Sequence, residues 1–143
     1  MKTVHVTHHY QASPERVFNA WLDPSQAGRF LFATDTGQMT RVEIDPHVGG
    51  RYVIVERRDG EEVLHEGEYV EIDRPRRLVF TLRVPAHSRM QDRIFVDIAP
   101  AGDGCDLTLE TEFVPETAEF RERVEKGWQK ITTRLERLVH STS

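Results

Sequence analysis

His5, His8 and His9 stand close together near the start of the chain and carry the most obvious metal-binding chemistry in the sequence. Residues Thr3 to Tyr10 alternate, however, so Val4, Val6, His8 and Tyr10 share one face of a strand and His5, Thr7 and His9 the other. His8 points away from its two neighbours and no carboxylate completes a ligand set, so no metal is expected. Cys105 is the single thiol. It lies in a Gly-rich turn beside Asp106, whose negative charge disfavours the reactive thiolate, and one cysteine cannot form an internal disulfide. Arg74, Arg76 and Arg77 sit on a hairpin turn among acids, without the stacking aromatics of a single-strand nucleic-acid site, and read as a solvated turn. The polar groups left to orient a ligand or move a proton are His8, Tyr52, Glu56, Glu66, Glu68, Tyr69 and Thr111. All belong to strands, so register decides which of them face inward.

The 143 residues suit one domain spanning the whole chain, 1–143. A composition 38% hydrophobic and 30% charged is that of a globular protein. With 19 basic against 24 acidic residues the net charge is −5, a balance that offers phosphate backbones no attraction, and no nucleic acid is expected. No apolar run approaches the roughly 18 residues of a membrane span. The N-terminus lacks the basic-then-apolar pattern of an export signal, so no membrane partner and a cytoplasmic location are expected.

Ser13, Pro14 and Glu15 supply an N-cap, a first-turn proline and an acid at the positive end of a helix dipole, ahead of Val17, Phe18, Trp21 and Leu22. Asp23, Pro24 and Gln26 repeat the start signal before Ala27, Phe30 and Leu31. From Thr40 to Phe113 the pattern is β throughout, with six strands around Val42–Ile44, Tyr52–Val55, Val63–Ile72, Leu78–Val84, Ile94–Ile98 and Leu107–Phe113. Their connections are short and rich in turn residues, as antiparallel hairpins require. Beyond Pro115, Phe120, Val124, Trp128, Ile131, Leu135 and Leu138 recur at helical spacing and predict one long amphipathic helix. Seven strands with one apolar face and one helix with one apolar stripe predict an α+β architecture, the antiparallel sheet curled around the C-terminal helix. A single helix about 10 Å wide leaves room against so broad a sheet, and the two short helices close one end of that room.

Several segments, in order, resemble a known family: Ala12-Ser13-Pro14-Glu15-Arg16-Val17-Phe18 through Ala20-Trp21 and Asp23-Pro24; Val48-Gly49-Gly50-Arg51-Tyr52; Gly67-Glu68-Tyr69-Val70-Glu71-Ile72 running into Pro75-Arg76-Arg77-Leu78-Val79-Phe80; and Gly127-Trp128 with Leu135. Together they resemble the START-like helix-grip superfamily (SRPBCC), and within it the bacterial proteins homologous to the activator of the heat-shock chaperone ATPase. The resemblance implies a helix-grip fold and commonly a cavity for small, mainly apolar molecules. Family members often carry a tryptophan pair after the Asp-Pro step; this chain reads Arg29-Phe30-Leu31-Phe32, which implies a differently shaped entrance. The likeness to the eukaryotic chaperone activator covers the domain type alone, so a chaperone role is not the first expectation.

The leading expectation is a binding module holding a small hydrophobic or amphipathic molecule between sheet and helix. Trp21, Phe30, Phe32, Tyr52, Phe80, Trp128 and Ile131 are the expected lining, with His8, Glu66, Glu68 and Tyr69 as polar candidates. Inward sets Leu78, Phe80 and Leu82, Ile94, Val96 and Ile98, and Leu107, Leu109 and Phe113 make that lining mainly apolar, while Val79, Thr81, Arg83, Asp97 and Glu110 face outward. Gly67 reads as a bulge that would exchange the faces of Glu66 and Glu68 with those of His65 and Tyr69. Gly127 interrupts the strongest helix, either to leave room for a guest or, the preferred reading, to pack against Trp21 or Phe18. Two alternatives stand beside the leading one: a cyclase-like enzyme using a buried carboxylate or His, and a protein-interaction module, chaperone-related or a homodimer. No cofactor is expected under any of them.

Overall fold

A computed structural model describes the backbone of residues 2–34, 36–85, 91–113 and 118–140, and the side chains of 4–34, 36–85, 91–112 and 122–140. The side chains of Phe113 and Phe120, and the break at Pro115, fall outside the described residues. Strand β1 (Lys2–Tyr10) leads into helices α1 (Pro14–Leu22) and α2 (Pro24–Phe30). Six strands follow: β2 (Gln38–Ile44), β3 (Arg51–Arg58), β4 (Glu61–Asp73), β5 (Arg77–Leu82), β6 (Asp92–Ala101) and β7 (Gly104–Phe113). The chain then forms the helix α3 (Ala118–His140).

The seven strands form one antiparallel sheet in the order β1-β7-β6-β5-β4-β3-β2. β1 and β2 therefore occupy opposite edges, and α1, α2 and the segment after them carry the chain across the sheet between them. Both helix starts use the chemistry their sequence advertises. The Ser13 hydroxyl accepts from Arg16 N–H at 3.1 Å, and the Asp23 carboxylate accepts from Ser25 N–H at 3.0 Å and from the Gln26 amide at 2.9 Å. Those bonds hold the Asp23 carboxyl below its ordinary pKa.

The inner face follows the alternation. Val4, Val6 and Tyr10 of β1, Ile94, Val96 and Ile98 of β6, and Cys105, Leu107 and Leu109 of β7 are buried together with Leu78 and Phe80 of β5. Trp128, Ile131, Leu135, Leu138 and Val139 of α3 close over them. Val79 and Thr81, read as outward, are also buried: in this central strand Val79 is paired with Glu71 and Phe95 of its neighbours, and the Thr81 hydroxyl accepts from Glu68 N–H. Polar bonds tie α3 to the β1 edge. Tyr10 O–H donates to the Thr132 carbonyl at 2.7 Å, His8 Nε2 meets Glu136 Oε1 at 2.7 Å, and Gln11 N–H donates to His140 Nε2 at 2.9 Å. Burial, with Glu136 nearby, pushes the Tyr10 pKa up, so the hydroxyl stays a donor at physiological pH.

The three arginines of the β4–β5 turn are engaged. Arg74 lies over the Phe18 ring at 5.4 Å, Arg76 meets Asp73 at 3.3 Å, and Arg77 meets Asp97 at 3.0 Å. His5 and His9 face outward beside Glu110 and Asp106, at 3.7 and 2.6 Å. Among the described residues no three metal-ligating side chains gather. Cys105 is fully buried in β7 rather than lying open in a turn, and burial first, then Asp106, raises its thiol pKa. Among the described residues no helix is long and apolar enough to cross a membrane.

Two glycines behave differently. A Cβ at Gly67 would lie 1.9 Å from the Thr81 carbonyl oxygen and 2.8 Å from the Tyr52 ring, so only glycine admits that approach of β5 to β4. Gly127 is exposed, with no described atom within 4 Å of an added Cβ, so neither the guest-space nor the packing reading of it holds. Gly127→Ala is expected to raise stability by about 0.5–1 kcal/mol through the helix-interior penalty of glycine. Gly67→Ala is expected to lower it by about 1–3 kcal/mol or more. Urea unfolding of the two variants checks both signs.

Candidate functional site

The α1–α2 connection and the segment after it deliver aromatic rings to the half of the sheet away from the β1 edge. Trp21, from the buried stripe of α1, meets Phe30 of α2 edge-on at 5.1 Å, Trp128 of α3 at 6.5 Å and Phe80 of β5 at 6.3 Å. Phe32 lies flat on His65 of β4 at 4.3 Å and stacks with Tyr52 of β3 at 6.5 Å. It also stands edge-on to Trp128 at 5.8 Å. Tyr52 meets both Phe80 and Tyr69 at 5.7 Å. Such offset and edge contacts add to the area each ring buries. Burial raises the pKa of both Tyr52 and Tyr69, so neither ionises near neutral pH.

Phe32 has φ +61°, a left-handed backbone that a bulky side chain seldom adopts and that costs on the order of 1–3 kcal/mol. The neighbouring bonds hold it there. The Phe32 carbonyl accepts from Arg58 Nη2 at 3.1 Å. The carboxylate of Glu56, 1% exposed, accepts from Thr34 N–H at 2.6 Å, from the Thr34 hydroxyl at 2.9 Å and from Arg58 Nε. A buried carboxylate with a cation and two further donors is satisfied; deprived of them it would be costly. Glu56→Ala removes the acceptor shared by Thr34 and Arg58, whose guanidinium keeps its bond to the Phe32 carbonyl, and is expected to lower stability by about 1–3 kcal/mol in denaturant unfolding.

Trp21, Phe30, Phe32, Tyr52, Tyr69, Phe80 and Trp128 thus come together, and Ile131 is buried on the α3 stripe close to Trp128 in sequence. Three polar candidates do not join them. His8 is occupied by Glu136 at the β1 edge. Glu66 faces the opposite side of the sheet, 3.2 Å from Arg83 and 3.8 Å from Arg51, and Glu68 lies 4.0 Å from Arg51. The cause is the position of the bulge. The register slips between Tyr69 and Glu71, at exposed Val70, and not at Gly67, so Val63, His65, Gly67 and Tyr69 share the inner face. Leu78 joins the walls from the inward set expected of it, whereas the expected lining leaves out His65 and Leu31; unbroken alternation from Val63 to Tyr69 is the signal for the first.

The rings pack against one another over the inner face of β3, β4 and β5. A crevice walled by Trp21, Leu31, Tyr52, Tyr69, Leu78 and Phe80 keeps about 10 Å³ of free space, the room of about one water molecule. Two buried polar atoms, Trp21 Nε1 and Thr111 Oγ1, meet no partner among the described residues. The Tyr52 hydroxyl is used, donating to the Thr81 carbonyl at 2.6 Å. His65 Nδ1–H donates to the Ile54 carbonyl at 3.1 Å.

Residues 11–140 match the family model described as Activator of Hsp90 ATPase homolog 1-like protein. Protein CV1439 from Chromobacterium violaceum is 28% identical, with a TM-score of 0.86 and 96% of each chain covered. Mll3558 from Rhizobium loti is 25% identical, with a TM-score of 0.77 and 94% of each chain covered. The AHSA1-like protein from Aeromonas hydrophila, 21% identical, shares the fold with a TM-score of 0.81 over 98% of this chain and 93% of its own. No relative is found among curated proteins. With the sheet, the helices and 130 of 143 residues in agreement, this chain belongs to the family of Activator of Hsp90 ATPase homolog 1-like proteins, of the SRPBCC helix-grip type.

Proposed function

We propose that the protein binds a small hydrophobic or amphipathic molecule between the sheet and α3, and that the guest enters by displacing Phe32. The observation that carries this reading is the ring cluster itself. Its member at the latched segment, Phe32, is held in an unfavourable backbone state by bonds to Arg58 and, through Thr34, to Glu56. A side chain kept in place at such expense is a movable plug in a way that an unstrained core residue is not. Swinging the ring away would leave Tyr52, His65 and Trp128 as walls. A guest of about 20 heavy atoms at roughly 0.3 kcal/mol each gains about 6 kcal/mol, a Kd in the tens of micromolar.

The rival readings find less support. An acid–base enzyme needs a poised ionisable group beside its substrate, whereas the crevice tyrosines stay protonated, Glu56 is saturated by Arg58 and Thr34, and His65 Nδ1–H is committed to the Ile54 carbonyl. A protein-interaction or homodimer face needs an apolar patch, and among the described residues Val48 and Val70 are the only large hydrophobics left exposed.

Phe32→Gly removes the ring and suits the left-handed backbone, so the open form becomes more populated and the apparent affinity rises in proportion. Native mass spectrometry against a panel of neutral lipids and aromatic metabolites should show one guest per chain, held about tenfold more tightly by the variant. No retained guest and no thermal shift in either protein would remove the proposal.

A further inference from the structure

Trp21 is 1% exposed and stands among the rings, yet its indole N–H meets no acceptor among the described residues. Buried polar groups of this kind are seldom left unpaired, and a buried tryptophan usually finds an acceptor. Trp21 also walls the one-water crevice, whose other described walls are Leu31, Leu78, Phe80, Tyr52 and Tyr69. The Tyr52 hydroxyl is already committed to the Thr81 carbonyl. The second unpartnered atom, Thr111 Oγ1, faces the same interior. Phe80 pairs with Ile94 and Ile94 with Thr111, so the hydroxyl lies two strands along from a crevice wall.

Charge narrows the guest. The described crevice walls include no lysine or arginine, and the guanidinium of Arg58 is held by Glu56 and the Phe32 carbonyl. A carboxylate or phosphate entering here would be buried without a counter-charge. A neutral oxygen, in contrast, would satisfy the waiting N–H at no such cost.

We propose that Trp21 Nε1–H is the polar anchor of the guest site, and that the guest is an uncharged, largely apolar molecule presenting a carbonyl, ether or hydroxyl oxygen to it. This rests on the ligand-binding reading above and adds the chemical class of the ligand. Thr111 offers a second hydrogen-bonding point to a guest long enough to pass Phe80 and Ile94.

The test uses ethylbenzene, acetophenone and benzoate, which share one ring and differ in the polar end. Each is titrated into the ¹⁵N-labelled full chain, whose two tryptophans give two indole signals, assigned with Trp21→Phe and Trp128→Phe. Acetophenone is expected to bind about tenfold more tightly than ethylbenzene, the worth of one buried hydrogen bond, and benzoate to bind most weakly. The Trp21 indole proton should move downfield with acetophenone alone, and Trp21→Phe should erase the preference while keeping ethylbenzene affinity. Should that variant not fold, the indole shift decides by itself. Equal binding of all three with an unmoved Trp21 signal would assign the N–H to a structural water only and overturn this inference while the ligand-binding reading stands. Absence of binding by any of the three, in wild type and in Phe32→Gly alike, would overturn both.

Discussion

A sheet of seven strands presents more apolar surface than one amphipathic helix can cover, and the way this shortfall is met shapes the whole interior. Helix α3 is drawn to one side: Tyr10, His8 and Gln11 bind its Thr132 carbonyl, Glu136 and His140, so its stripe lies toward the β1 edge and against α1 and α2. The inner face of β3, β4 and β5 is left for other groups to cover. Aromatic side chains do so, because each buries on the order of 150–250 Å² from a single backbone position. Trp21 and Phe30 arrive from the short helices, Phe32 from the segment beyond them and Trp128 from α3, to meet Tyr52, Tyr69, Phe80 and His65 rising from the sheet.

That solution constrains the strands beneath. Where β4 and β5 run under the rings the ladder is irregular: Glu68 N–H donates to the Thr81 hydroxyl at 2.9 Å, and the Thr81 carbonyl accepts from Tyr52 instead of completing a regular rung. Gly67 makes the approach sterically possible, and Val70 restores the pattern further along by bulging outward. The segment after α2 meets a similar demand. Its hydrogen bonds to Glu56 and Arg58 offset the backbone cost of aiming the Phe32 ring inward. Each edge-to-face contact adds roughly 0.5–1.5 kcal/mol to the area its ring buries. The described crevice among the rings keeps about 10 Å³ of free space.

Much of this was legible in the residues. The caps at Ser13 and Asp23, the period-two strands and the helical stripe through Trp128, Ile131, Leu135 and Leu138 lead to the observed elements in the observed order. The aromatic membership of the cluster was legible too, because large apolar side chains on the inward face of an element have nowhere else to go. The polar membership was not. Whether Glu66 and Glu68 or His65 and Tyr69 face inward turns on where one extra residue sits, and Gly67 was the more conspicuous place for it than Val70. Gly127 misled in the opposite direction, suggesting a contact at a position that is open to solvent.

The amino-acid order by itself determined the strands, the helices, their sequence and the apolar face of each, since those follow from backbone periodicity and from capping over a few neighbouring residues. Only the tertiary structure decided how the rings pack together, which β4 side chains reach them, and that Phe32 is held left-handed while the Trp21 N–H meets no acceptor among the described residues. Each of these depends on groups distant along the chain, such as Tyr52 with Thr81 and Thr34 with Glu56, whose meeting is set by strand register and helix placement and leaves no local pattern to read.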